Sequence, residues 1–180
     1  VYHSNLGGAY RELGEYELAA DEYAAAVAID PDYDSAWNRW GNVLYSLGDY
    51  AGAGEKYERA IAVDPDNATY RANLGSAYYE QGEYDLAAAA YEAAVELDPA
   101  YDYAWNRWGN ALYLLEDYAG AALKYQQALL IYPEDEVYHA NLGGAYYQQG
   151  EYEMAAAAYA SAVAVDPEYD YAWNRWGLSL

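Results

Sequence analysis

The sequence predicts an all-α fold made of repeated helical hairpins, and three observations predict it. The first is a period of 34 residues, marked by Gly7, Gly41, Gly75, Gly109, Gly143 and Gly177, with Tyr16, Tyr50, Tyr84, Tyr118 and Tyr152 marching at the same step. Self-similarity at a period of about 20 to 50 residues is the signature of a repeat architecture. The second is that apolar and aromatic residues recur at helical spacing on either side of a break, as in Leu74 and Tyr78, then Leu86, Ala87, Tyr91 and Val95. The third is punctuation: a glycine at the break in four of five units, and a proline at Pro31, Pro65, Pro99, Pro133 and Pro167 closing each one.

The elements follow in order. Units are expected at about 1–33, 34–67, 68–101, 102–135 and 136–169, with a terminal helix over 170–180, giving eleven helices in a single array over 1–180. Each first helix stops at a bend such as Gly14-Glu15-Tyr16, Gly48-Asp49-Tyr50 or Gly82-Glu83-Tyr84, where glycine accepts the left-handed conformation that ends a helix. Glu116 stands in that place in the fourth unit, a local flaw. Each second helix stops before an Asp-Pro or Tyr-Pro pair, because proline disfavours helix at the residue before it and cannot continue one. Alanines at Ala19, Ala53, Ala87, Ala121 and Ala155 let paired helices approach, while Tyr23, Tyr57, Tyr91, Tyr125 and Tyr159 fill the gaps beside them. A hairpin of this size cannot bury its own apolar face, so neighbours must stack.

Trp37, Gly41, Gly48, Tyr50, Ala53, Tyr57, Ala60 and Pro65, matched in phase by the other units, resemble the tetratricopeptide repeat pattern over essentially the whole chain. The resemblance implies a right-handed α-solenoid whose first helices line a concave surface, with binding as its activity. A second period lies on the first. One class of first helix carries Tyr70-Arg71-Ala72-Asn73-Leu74-Gly75 and its counterparts, the other Ala104-Trp105-Asn106-Arg107-Trp108-Gly109, so the true unit is 68 residues. Such regularity fits a consensus-like or engineered array, and equally a recently duplicated natural one.

Charge excludes several functions. Asp plus Glu number 30 against 8 Lys plus Arg, a net charge of -22, which repels nucleic acid and anionic lipid. Cysteine is absent, removing disulfides, thiol nucleophiles and thiolate zinc sites. No apolar run is long enough to span a bilayer and no signal peptide is visible, so a soluble chain is expected, cytoplasmic if natural. His3 and His139 have no companion nucleophile. Asp30, Asp32 and Asp34 have the alternate spacing of a calcium loop but lack its glycine and distant Glu, and read as an inter-repeat turn. No metal site, cofactor site, catalytic residue or enzyme activity is expected.

Acidic residues concentrate in turns and on second helices, as in Asp21, Glu22, Glu55 and Glu58. The concave positions implied by the resemblance differ. They bring Asn38, Arg39, Asn42 and Tyr45 from one unit, Asn73 and Tyr79 from the next, and then Asn106, Arg107, Asn110, Tyr103 and Tyr113, followed by Asn141, Tyr147 and Arg175. An asparagine amide offers both donor and acceptor, so a ladder of them can pair with the backbone of an extended peptide without reading its sequence. Relatives that hold extended peptides use an Asn two residues before the glycine, where Asn5, Asn73 and Asn141 stand. Relatives that grip a terminal carboxylate are matched at Asn42, Asn73 and Arg107, and again at Asn110, Asn141 and Arg175. Their lysine places are taken by Asn38 and Asn106 and by Tyr103 and Tyr171, which weakens that clamp. For Arg39, Arg107 and Arg175 the alternative to ligand binding is a salt bridge to a turn carboxylate.

The expected function is a non-enzymatic scaffold holding a peptide or protein segment in the concave groove. The alternative is a structural element, engineered or natural, without a dedicated ligand. It would associate head to tail through the terminal helix at Trp173 and Trp176, unless those rings fold inward on the fifth unit.

Overall fold

The computed structural model describes residues 1–179; the last residue of the expected terminal helix, Leu180, lies outside them. Eleven helices and no strand are present among the described residues. They are α1 (Tyr2–Glu12), α2 (Tyr16–Ile29), α3 (Asp34–Ser46), α4 (Tyr50–Val63), α5 (Ala68–Glu80), α6 (Tyr84–Leu97), α7 (Asp102–Leu114), α8 (Tyr118–Ile131), α9 (Glu136–Gln148), α10 (Tyr152–Val165) and α11 (Asp170–Ser179). They form two compact units, Val1–Leu97 with α1 to α6 and Asp98–Leu180 with α7 to α11. Within each unit, consecutive helices pack on one another as stacked hairpins.

The bends are built as the punctuation predicts. Gly14, Gly48, Gly82 and Gly150 all have φ between 77° and 81°. At Gly48 the amide donates to the Tyr45 carbonyl, and the next amide, of Asp49, reaches back to Leu44. Glu116 repeats both bonds, to Tyr113 and through Asp117 to Leu112, with φ 62°. The fourth bend therefore keeps its geometry at the cost of a left-handed non-glycine residue. Asp49 and Asp117 then cap the second helices, each accepting from an amide three residues on at 2.9 Å.

The joint between one hairpin and the next uses a single recurring bond. The side chain six residues after each proline donates to that proline's carbonyl: Trp37 to Pro31 at 2.8 Å, Arg71 to Pro65 at 2.7 Å, Trp105 to Pro99 and Trp173 to Pro167 at 3.0 Å. The His139 Nε2 meets the Pro133 carbonyl at 3.0 Å in the same way.

Packing centres on the periodic tyrosines. Tyr23, Tyr91, Tyr125 and Tyr159 are among the largest fully buried side chains. Their rings and that of Tyr57 lie directly over the helical glycines Gly7, Gly41, Gly75, Gly109 and Gly143. Ala19, Ala53, Ala87, Ala121 and Ala155 are all wholly buried, as close helix approach requires. In α11, Trp176 packs against the core of the second unit, whereas Trp173 stays half-exposed with its indole N–H on the Pro167 carbonyl.

Candidate functional site

The expected site residues lie on first helices, and the structure gathers six of them into two matching trios, one per unit. In the first, the Asn73 Nδ2 of α5 donates to Asn38 Oδ1 of α3 at 2.8 Å and lies 3.5 Å from Asn42 Oδ1. In the second, Asn141 Nδ2 of α9 donates to Asn106 Oδ1 of α7 at 2.9 Å and lies 3.4 Å from Asn110 Oδ1. The helical turn explains the pairing: Asn38 and Asn42 are four residues apart and share a face, as do Asn106 and Asn110, so one amide from the next first helix can meet both.

Each trio is anchored from below. The Tyr57 hydroxyl donates to Asn42 Oδ1 at 2.8 Å, and that of Tyr125 to Asn110 Oδ1 at 2.8 Å. Ser76 occupies the equivalent place in the other class and bonds the Tyr91 hydroxyl at 3.0 Å. Gly8 and Gly144 stand there in α1 and α9, and the buried Tyr23 hydroxyl has no partner among the described residues. Desolvation accordingly pushes Tyr23 above the ordinary tyrosine range. The residue after each glycine is thus a support for a core tyrosine as well as a surface group. A signal for this was present in the sequence, in the fixed spacing of fifteen residues from Asn42 to Tyr57, Ser76 to Tyr91 and Asn110 to Tyr125.

A second tie joins first helices to one another. Tyr70 of α5 donates to Asp34 of α3 at 2.6 Å, and Tyr138 of α9 to Asp102 of α7 at 2.9 Å. Burial first, and then the bonded carboxylate, raises both phenols well above their usual range. No sequence motif singled these pairs out.

The expected aromatic contacts sit at the hairpin bends. Tyr45, Tyr79, Tyr113 and Tyr147 each pack edge to face with the first tyrosine of the following helix, Tyr50, Tyr84, Tyr118 and Tyr152, at 5.1 to 5.5 Å. Tyr45 also donates to Glu80 at 3.3 Å, whereas Tyr113 accepts from Gln148 at 3.1 Å. The arginines divide. Arg107 Nε donates to the Tyr103 hydroxyl at 3.0 Å, with its guanidinium 5.4 Å from the ring centre. Arg175 lies 5.4 Å from the Tyr171 ring, whose phenol is the chief influence raising the arginine's pKa. Arg39 is exposed. Neither Arg39 nor Arg175 forms an ion pair with a carboxylate among the described residues, whereas His3 with Glu22, Arg11 with Glu12 and Lys56 with Glu55 do. Asn5 is exposed on α1 and joins no trio.

The stacked hairpins and their glycine-tyrosine seats match tetratricopeptide family profiles. The profile described as TPR repeat matches residues 7–48, 41–82 and 75–115, and the profile described as Tetratricopeptide repeat matches 102–135 and 137–169. The chain belongs to the tetratricopeptide repeat family.

Solved tetratricopeptide proteins agree over nearly its full length. A MamA structure from Desulfovibrio magneticus RS-1 superposes with a TM-score of 0.86 at 21% identity, covering 94% of this chain and 96% of that one. YrrB, described as a TPR protein with an unusual peptide-binding site, superposes with a TM-score of 0.82 at 22% identity, covering 96% and 89%. These likenesses show the fold, an all-α solenoid of tetratricopeptide hairpins. Among curated proteins, the heat-shock protein cognate co-chaperone sgt12 of Aspergillus fumigatus is 42% identical over 41 residues, 23% of this chain and 12% of that protein's length.

Proposed function

We propose that the tetratricopeptide array is a protein-binding scaffold that holds an extended peptide along its first helices, and that the two asparagine trios are the contacts that grip the peptide backbone. The observation that carries this is how the trio spends its hydrogen-bonding groups. Asn73 uses its N–H groups on Asn38 and Asn42, so among the described residues its Oδ1 acceptor and the Nδ2 donors of Asn38 and Asn42 stay available side by side. An extended peptide presents its own N–H and C=O groups in alternation, and the trio offers the complementary set in a half-buried, pre-ordered arrangement. Asn106, Asn110 and Asn141 repeat these bonds in the second unit, where Asn106 is buried at 6% exposure and Asn110 and Asn141 stay half-buried, so the first trio is the more open of the two.

Tyr45, Tyr79, Tyr103, Tyr113 and Tyr147 add flat contact area, and Arg39, Arg107 and Arg175 favour an anionic group on the ligand. The peptide-binding description of YrrB and the co-chaperone relative support a binding role of this class. A screen of immobilised peptides, each with a free and an amidated C-terminus, identifies a ligand and separates backbone recognition from terminal-carboxylate capture. Asn73→Ala with Asn141→Ala should then weaken that ligand about tenfold while far-UV circular dichroism is unchanged. An affinity equal to that of the unaltered chain refutes the role given to the trios.

A further inference from the structure

A different surface, formed by second helices of the second unit, breaks the pattern of the chain. Elsewhere second helices carry outward carboxylates: Glu55 and Glu58 on α4, and Asp85, Glu92 and Glu96 on α6. α8 and α10 do not. Between Tyr118 and Pro133, and again between Met154 and Val165, the only charged side chain is Lys124. Its ammonium is held over the Trp108 ring of α7, 3.6 Å from the ring centre. Aligned on the 68-residue period, Glu55 is replaced by Leu123, Glu58 by Gln126, Arg59 by Gln127 and Ala62 by Leu130. The new leucines are not core residues. Leu123 is 60% exposed and Leu130 is 76% exposed, seven residues apart on one face of α8, with Met154 on α10 47% exposed.

A mainly apolar groove of about 300 Å³ lies between the two helices, lined by Leu129 of α8, Leu142 and Tyr146 of α9, and Met154 and Ala157 of α10, with His139 and Ser161 as its polar members; Leu130 follows Leu129 in the chain, and neither it nor Leu123 lines the groove itself. Acidic residues return at both ends of the two helices: Glu116 and Glu153 at their starts, Glu134 and Glu168 just past their ends, all exposed. A helix of fourteen residues is about 20 Å long, so an apolar trough is closed at each end by negative charge at that separation.

We propose that this trough, together with the exposed leucines of α8, is a docking site for an amphipathic helix of a partner protein that lays an apolar stripe along Leu123, Leu130 and Met154 and carries Lys or Arg at both ends. In helix-in-groove recognition the incoming helix supplies apolar anchors at spacings of three, four and seven residues; Leu123 and Leu130, two turns apart on one face of α8, give such anchors apolar surface over about 10 Å. Charge selects the occupant: the acidic rims attract a helix with basic ends, and a net charge of -22 opposes a second copy of the chain or an anionic lipid surface. The site uses α8, α9 and α10 and shares no residue with the asparagine trios.

The test uses the full chain and a labelled synthetic helix of about 16 residues, with leucines at helical spacing and two lysines at each end, followed by fluorescence anisotropy. The expected result is saturable binding that weakens about tenfold in the double variant Leu123→Glu, Leu130→Ala, which installs the residues found in α4. Binding should also weaken several-fold between low and physiological salt, and vanish when the lysines are exchanged for glutamates. Asn73→Ala with Asn141→Ala should leave it untouched, so failure here and failure of the peptide-backbone reading are distinguishable. Both altered leucines are exposed, and an unchanged circular dichroism spectrum confirms that the variant folds. Equal binding by the double variant, or by the glutamate-ended helix, overturns the proposal. So does a mass in sedimentation that rises with concentration for the unaltered chain and not for the variant, which would assign the face to pairing between copies.

Discussion

Replacing Gly109 by alanine tests the glycine-tyrosine seat, because the same helical position recurs as Gly177, which no tyrosine ring of the described residues covers. A Cβ on Gly109 would lie 2.5 Å from Tyr125 Cε1 and 2.7 Å from Cδ1. Carbon atoms pack comfortably at about 3.5 to 4.0 Å, so the ring must move by about 1 Å. It has little room: Tyr125 is 2% exposed and its hydroxyl is tied to Asn110 at 2.8 Å. Overpacking of this kind costs about 1–3 kcal/mol, and losing the hydroxyl bond costs about 1 more. Alanine returns about 1 kcal/mol through its better helix propensity. The net expectation is a loss of about 1–3 kcal/mol. At Gly177 no atom of the described residues lies within 4 Å of the added carbon, so only the propensity gain remains, about 0.5–1 kcal/mol. Both positions belong to the second unit, which makes urea unfolding followed by far-UV circular dichroism a like-for-like comparison. Gly109→Ala should unfold at lower urea and Gly177→Ala at equal or higher urea than the unaltered chain. Equal midpoints for the two variants would refute the steric role assigned to the glycine.

The left-handed Glu116 gives a stabilising change: Glu116→Gly should add about 1 kcal/mol by removing side-chain crowding at φ 62°, read in the same unfolding experiment. Gly8→Ser should stabilise by about 1 kcal/mol, since a Cβ there lies 3.7 Å from the partnerless Tyr23 hydroxyl and the serine can bond it as Ser76 bonds Tyr91. The gain should disappear in a Tyr23→Phe background. The raised phenols of Tyr70 and Tyr138 predict alkaline sensitivity. An unfolded tyrosine loses its proton near pH 10, whereas these folded ones hold theirs to higher pH, so their contribution is complete below about pH 10 and falls as pH rises beyond it. Tyr70→Phe with Tyr138→Phe should flatten the loss of stability above pH 10 in pH-dependent urea titrations.

Helix number, bends and unit ends were legible because glycine, proline and a 34-residue period each constrain the backbone locally. Even the Glu116 departure was visible, although the letter alone does not say whether the bend or the residue gives way; the bend holds and the residue takes the strain. The asparagines were legible as a register but not as trios, since a one-dimensional pattern cannot say that Asn73 spends its N–H groups on Asn38 and Asn42. Turn carboxylates are the natural partners for arginines in so acidic a chain, yet Arg107 and Arg175 lie over tyrosines four residues earlier, a helical neighbour that the spacing already contained. The division after Leu97 was not legible, because the period runs through it without interruption. The loss of carboxylates from α8, and from α10 beyond its first turn, was written in the sequence but hidden by an average over all second helices.

The bond from a side chain to each proline carbonyl has a consequence for how such a chain can change. Indole, guanidinium and imidazole differ in size, shape and charge, yet each reaches the same oxygen at 2.7 to 3.0 Å. What the joint demands is one nitrogen at a fixed reach, so three unlike side chains serve as interchangeable latches. Mutation can therefore retune the size, polarity or charge of the side chain at these places while the spacing between successive hairpins stays as it was.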